Sequence, residues 1–104
     1  MKRSSKTAGT SFYNTTLNAT PQELINALGK PEYFSNDGSD KTNMDYNLET
    51  ESGIPFTIYD WKEYRPLHMD EKIEFHIGGF NGTQTEEAKW EVISLINKSK
   101  RQIL

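Results

Sequence analysis

The side chains best able to bind or react gather in one stretch, Tyr59, Asp60, Trp61, Lys62 and Arg65, followed by His76, Gly78 and Gly79. Two rings could stack on a planar ligand or a peptide, and Lys62 and Arg65 could pair with an anion. The double glycine would let backbone amides come close to it. Each has a plainer role beside it. Trp61 could be a packing residue, His76 a strand residue facing water, and Gly78-Gly79 a turn. Asp60 is either a strand-end carboxylate reaching solvent or a buried one paired with Lys62, Arg65 or His68. Catalysis lacks its parts. The chain has two histidines and no cysteine, which excludes thiolate chemistry, disulfides and cysteine zinc sites. No serine stands at a strand-to-helix elbow, and no histidine–acid pair has an informative spacing. Gly82 is not followed by Lys-Ser/Thr, so the glycines do not form a phosphate loop. Asp37-Gly38-Ser39-Asp40 has the composition of a calcium loop without its spacing. The stretch is therefore a ligand-binding or contact site, with no catalytic residue, no metal and no cofactor.

Three alternating segments must position these residues. Met44, Tyr46 and Leu48 alternate with Asp45, Asn47 and Glu49, which predicts a strand with one wet face. Glu51-Ser52-Gly53 suits a bulged hairpin turn. Ile54 to Trp61 follows as the central strand, with Ile54, Phe56, Ile58 and Asp60 on one face and Thr57, Tyr59 and Trp61 on the other. Ile73, Phe75 and Ile77 form the inward row of a third strand, with Glu74 and His76 opposite. If strands two and three are antiparallel neighbours, Tyr59 and Trp61 share a face with Glu74 or His76. Helices flank the set. Thr20-Pro21-Gln22-Glu23 is a capping box with proline at the first turn, and Gly29 before Lys30-Pro31 ends that helix. Thr83 with Glu86 predicts a second capping box. Ala88, Val92, Leu95 and Ile96 then form an apolar stripe widened by Trp90 and Ile93. The expected fold is α+β, a three-stranded antiparallel sheet flanked by two helices in the order α-β-β-β-α.

The 104 residues make one domain. Residues 1–18 read as a flexible N-terminal arm, 19–98 as a single α+β domain, and 99–104 as a basic C-terminal tail. Setting aside Lys2, Arg3, Lys6, Lys98, Lys100 and Arg101, the body carries six basic residues against fifteen acidic ones, about −9. That balance makes nucleic acid an unfavourable partner, because such binding rests on neutralising phosphates. No apolar run approaches a membrane span and no secretory signal is recognisable, so a soluble, cytoplasmic protein with no membrane partner is expected.

Phe56-Thr57-Ile58-Tyr59-Asp60-Trp61-Lys62, followed by His76-Ile77-Gly78-Gly79, resembles a pattern in small bacteriophage-encoded proteins of uncharacterised role, over roughly residues 44–80. Separately, Thr20 to Pro31 is similar to the first helix of small outer-membrane assembly lipoproteins, although their lipobox cysteine is missing. The phage resemblance implies a small non-catalytic binder in the host cytoplasm, occupying a host protein or sequestering a nucleotide. The expected function is thus a non-enzymatic binding or regulatory protein acting through protein–protein contacts, including homo-oligomerisation. A small-nucleotide binder and a minor structural virion protein are the alternatives.

Overall fold

The computed structural model describes residues 1–103. In chain order the elements are β1 (Lys2–Arg3), β2 (Ser11–Ala19), α1 (Pro21–Leu28), β3 (Tyr33–Phe34), β4 (Met44–Glu49), β5 (Pro55–Tyr59), β6 (Ile73–Gly79) and α2 (Gly82–Ile103). The protein is α+β with an antiparallel sheet, and the three strands read from alternation are its centre. The sheet itself has six strands rather than three, in the order β1-β4-β5-β6-β2, with β3 also pairing β4.

Two of the three additional strands fall in the segment expected to be a flexible arm, and β3 falls between the first helix and the loop before Met44, where no element is expected. Residues 11–18, placed in a flexible arm, form the longest strand together with Ala19, and Thr15 to Ala19 run opposite Ile77 to Ile73. The order is therefore β-α-β-β-β-α around the core, not α-β-β-β-α. Thr15, Leu17 and Ala19 are buried on the helix side. Thr15 is polar, and its hydroxyl is satisfied by the Thr85 hydroxyl of α2 at 2.6 Å. The inward row alternates, but its first member does not look apolar. Nor is the basic C-terminal run a tail, since α2 continues through Lys98, Lys100 and Arg101. Cations in a last helical turn suit the negative end of the helix dipole.

Arg3 shows why the N-terminus is held. Its guanidinium donates to the carbonyls of Leu28 (2.9 Å) and Lys30 (2.6 Å), closing the end of α1, and to Glu32 at 3.2 Å. It also lies 5.4 Å from the ring centre of Tyr46, whose hydroxyl donates to the Gly29 carbonyl. Burial pushes the Tyr46 phenol well above its ordinary value.

The capping box of α1 is present in both directions. The Thr20 amide donates to Glu23 at 2.8 Å, and the Glu23 amide donates to the Thr20 hydroxyl at 3.0 Å. Asn81 rather than Thr83 caps α2, accepting from the Gln84 amide at 2.9 Å. Leu24 of α1 and Ala88, Val92 and Ile96 of α2 close over Met44, Tyr46, Leu48, Phe56, Ile58, Phe75 and Ile77. Trp90, expected to widen that stripe, stands 62% exposed. Among the described residues, no helix is long and apolar enough to cross a membrane.

Glu23 also joins α1 to the rest through Lys72 and Lys100. Burial alone would raise its pKa, but hydrogen bonds from Lys100, the Thr20 amide and Lys72 outweigh it and hold the group at about 2. A folded value below the unfolded one stabilises the protein above the ordinary carboxylate range, and that gain is lost as pH falls through the folded value. Glu23→Gln is expected to cost about 1–2 kcal/mol at neutral pH, after allowance for solvent screening. In urea titrations, the gap from wild type should close between the ordinary value of 4.5 and about 2.

Candidate functional site

With both helices packed on one side, the outward row of each central strand forms a second surface. Tyr59 of β5 lies directly opposite His76 of β6, and Thr57 opposite Gly78. The Tyr59 and His76 rings meet edge-on at 5.5 Å. His76 in turn stacks on Phe12 of β2, with ring centres 4.0 Å apart and planes 12° from parallel. Tyr59 meets Trp61 at 6.0 Å in a T-shaped contact. Four rings, Phe12, His76, Tyr59 and Trp61, thus run across the sheet. Among the described residues, no helix covers them.

Charge and hydrogen bonding differ along the row. Lys62 and Lys41 place their ammonium groups 5.4 and 5.9 Å from the Trp61 ring centre. Beside Tyr59, a cleft of about 310 Å³ is lined by Glu32, Tyr33, Asp45, Asn47 and Thr57. Burial raises the Asp45 carboxyl, opposed by the Thr42 hydroxyl and reinforced by the charges of Asp60 and Asp40. Burial also raises the Tyr59 phenol, with the Asp45 charge adding to it. His76 is held below its ordinary value by burial, against the opposing pull of Glu74. At neutral pH it therefore joins the row as a neutral ring.

The eight residues singled out from sequence do not form one site. Tyr59, Trp61, His76 and Gly78 share the open face, and Lys62 flanks Trp61. A Cβ on Gly78 would stand 2.5 Å from the Thr57 hydroxyl, so the residue accommodates its cross-strand neighbour. Gly79 points the other way, where an added Cβ would fall 2.7 Å from the Thr85 methyl. It lets α2 approach the sheet. Arg65 is engaged by Glu71 through two 2.8 Å hydrogen bonds, with Glu63 at 3.6 Å.

Asp60 is completely buried on the core side. It accepts from the backbone amides of Asn43 (2.8 Å) and Met44 (3.0 Å) and from the Asn43 side-chain amide (2.9 Å). Of the two roles open to it in the sequence, burial is observed, but its partners are amides and not Lys62, Arg65 or His68. Asn43 extends the network, donating to the Arg65 carbonyl and accepting from the Gly38 amide. Asn36 and Leu67 exchange two more hydrogen bonds, at 3.1 and 2.6 Å. The loops 35–43 and 60–72 are thereby fastened to each other, and together they hold Lys41, Trp61 and Lys62 at the end of the ring row.

Phe12, Lys41 and Asn43 are not among the expected site residues. Phe12 sits in a Ser/Thr/Asn-rich segment, and the other two in a loop without period. In that loop Asp37 accepts from the amide and hydroxyl of Ser39, an Asx turn. Among the described residues, no three His, Cys, Asp or Glu side chains are grouped to hold a metal ion. No protein-family model, curated protein or solved structure matches the chain.

Proposed function

We propose that the chain is a non-enzymatic binding protein acting through protein–protein contact, with the helix-free sheet face as its working surface and a second copy as occupant. The observation that carries this reading is the row Phe12–His76–Tyr59–Trp61, in which Phe12 is 37% and Trp61 41% exposed. Aromatic rings held rigidly on a sheet provide large contact area at little entropic cost, and such anchors dominate binding energies. The same face carries Lys41 and Lys62 as well as Asp45 and Glu74, so two copies related by a two-fold axis can match unlike charges. Asp60 and Arg65 are both engaged within the fold, which favours a contact surface over a shared ligand pocket. The phage resemblance would set such a binder in an infected host cell.

Sedimentation equilibrium at micromolar concentration is expected to give a mass above the 12.0 kDa of one chain. Replacing both Tyr59 and Trp61 with Ala should weaken association by about tenfold or more. A wild-type chain that stays at 12.0 kDa overturns the reading.

Binding of a small nucleotide is the second reading, supported by the cleft between Tyr33 and Tyr59. Asn47 and Thr57 offer hydrogen bonds to a base there, while Glu32 and Asp45 oppose a phosphate, which ranks this reading below the first. A Trp90→Phe background isolates Trp61 fluorescence. A flat titration with mono-, di- and cyclic nucleotides in that background removes this alternative.

A further inference from the structure

The two outer edges of the sheet are finished differently. Along β4 the edge is sealed. Its upper part pairs with β1 and its lower part with β3. Between them the Asn47 amide donates to the Glu32 carboxylate at 3.0 Å, and the Asn47 carbonyl accepts from Ser4 at 3.0 Å. At the opposite end β2 has a neighbour only on its β6 side.

The direction of the free groups follows from the ladder. Since Asn47 points its amide and carbonyl outward, its neighbours Tyr46 and Leu48 bond to β5. Alternation from strand to strand then makes Thr15, Leu17 and Ala19 the residues that bond β6. Thr16 and Asn18 must aim their amides and carbonyls away from the sheet. Among the described residues nothing pairs with them.

These groups open onto a groove of about 410 Å³ between β2 and α2. Trp90 and Ile93 supply its apolar wall, and Lys72, Lys89 and Lys100 surround it against the single carboxylate of Glu23. In a chain of net charge −3 this is a basic site. Lys89 lies 5.7 Å from the Trp90 ring centre, so cation and ring face the groove together. An extended peptide that adds a strand to an open edge gains backbone hydrogen bonds along its length and places alternate side chains against the flanking helix.

We infer that the β2–α2 groove is a strand-addition site for an extended acidic peptide segment of another protein. Thr16 and Asn18 provide its backbone partners, Trp90 and Ile93 its apolar contact, and the lysines its charge preference. The groove runs along the outer edge of β2, where Thr16 stands opposite His76, and lies across the sheet from Tyr59 and Trp61.

The probe is an acetylated octapeptide alternating Glu and Val, compared with its Lys–Val counterpart by amide NMR and hydrogen exchange on the full chain. The Glu–Val peptide is expected to shift and protect the Thr16 and Asn18 amides, and to lose affinity at high ionic strength. Lys89→Glu, a surface helix change, should weaken it by about tenfold. Thr16→Pro, which removes an outward donor and leaves the β6 ladder intact, should do the same. The Tyr59/Trp61 double alanine variant should bind the peptide unchanged, which separates this site from the dimer face. Equal binding of both peptides, or no protection at Thr16 and Asn18, overturns the inference. So does a free protein in which those two amides are already protected in a concentration-dependent manner, since a second copy would then occupy the edge.

Discussion

Asp60→Ala is expected to lower the unfolding free energy by roughly 3–5 kcal/mol, the largest loss from any single side chain in the aromatic–polar stretch. The carboxylate is fully buried and serves three donors, two of them backbone amides at the start of β4. Alanine leaves the Asn43 and Met44 amides and one N–H of the Asn43 side chain without acceptors in a site closed to water, and unpaired buried donors are costly. Asp60→Asn separates charge from shape. Its remaining oxygen can serve the two backbone amides, but its NH2 would face the Asn43 NH2, so a loss of roughly 2 kcal/mol is expected. Urea denaturation of the three proteins reads both values. A near-neutral Asp60→Ala would mean that the network contributes nothing to the fold. Because the same network holds Lys41, Trp61 and Lys62 at the end of the ring row, Asp60→Ala should also weaken association at denaturant concentrations where it is folded.

The second large effect is expected at Gly38. Its φ is +77°, and an added Cβ would lie 2.7, 2.9 and 2.9 Å from three backbone atoms of Arg65. Left-handed backbone costs a non-glycine residue about 1 kcal/mol. Contact with main chain cannot be relieved by turning a side chain, so the two loops must separate. Gly38→Ala should therefore lose roughly 2–4 kcal/mol. Gly53 supplies the control, with φ +87° and nothing within 4 Å of the added atom. Gly53→Ala should cost only the conformational term, about 1 kcal/mol. The difference between the two midpoints isolates the packing of loop 35–43 on loop 60–72. Equal losses would show that Arg65 gives way freely. Because the same junction carries Lys41 and Trp61, Gly38→Ala should also change Trp61 emission in a Trp90→Phe background.

The parts of the fold legible in the sequence are those whose burial alternates cleanly. Met44, Tyr46 and Leu48, then Phe56 and Ile58, then Ile73, Phe75 and Ile77 are all buried, and each row is written in apolar residues. The α1 capping box is equally explicit. Strand β2 fails that test for two reasons. Its buried row begins with Thr15, and the register shifts between Phe12 and Thr15, where Asn14 takes φ 66°. The two extra residues of the bulge there leave Phe12 on the open face but interrupt the run of buried and exposed positions. The strands β1 and β3 have two residues each, too few for any period to appear. They are held by the contacts of Arg3 and Glu32, which join segments distant in sequence.

The candidate site divides the same way. Tyr59 and His76 could be placed on one face by counting along two strands, because strand geometry fixes which side a residue occupies. Trp61, expected to end the central strand, lies two residues past the end of β5 and joins the row through its contact with Tyr59. Asp60 could be placed inward by the same count. Its partner could not be found, since Asn43 lies 17 residues away in an aperiodic loop. Charge suggested Lys62 or Arg65 for Asp60. Geometry gives Arg65 to Glu71 and Lys62 to the Trp61 ring.

The unequal finishing of the two sheet edges also bears on assembly. A sheet open at both ends can take a strand on either side, and each new strand offers another edge, which is how unlimited cross-β polymers grow. Here Arg3, Ser4, Glu32 and β3 occupy one end, so successive copies cannot stack head to tail through their sheets. Strand addition at β2 therefore cannot be relayed through the opposite edge of the same sheet. The N-terminal residues thus act as a chain stopper, letting the molecule keep one reactive edge without becoming a monomer unit for fibres.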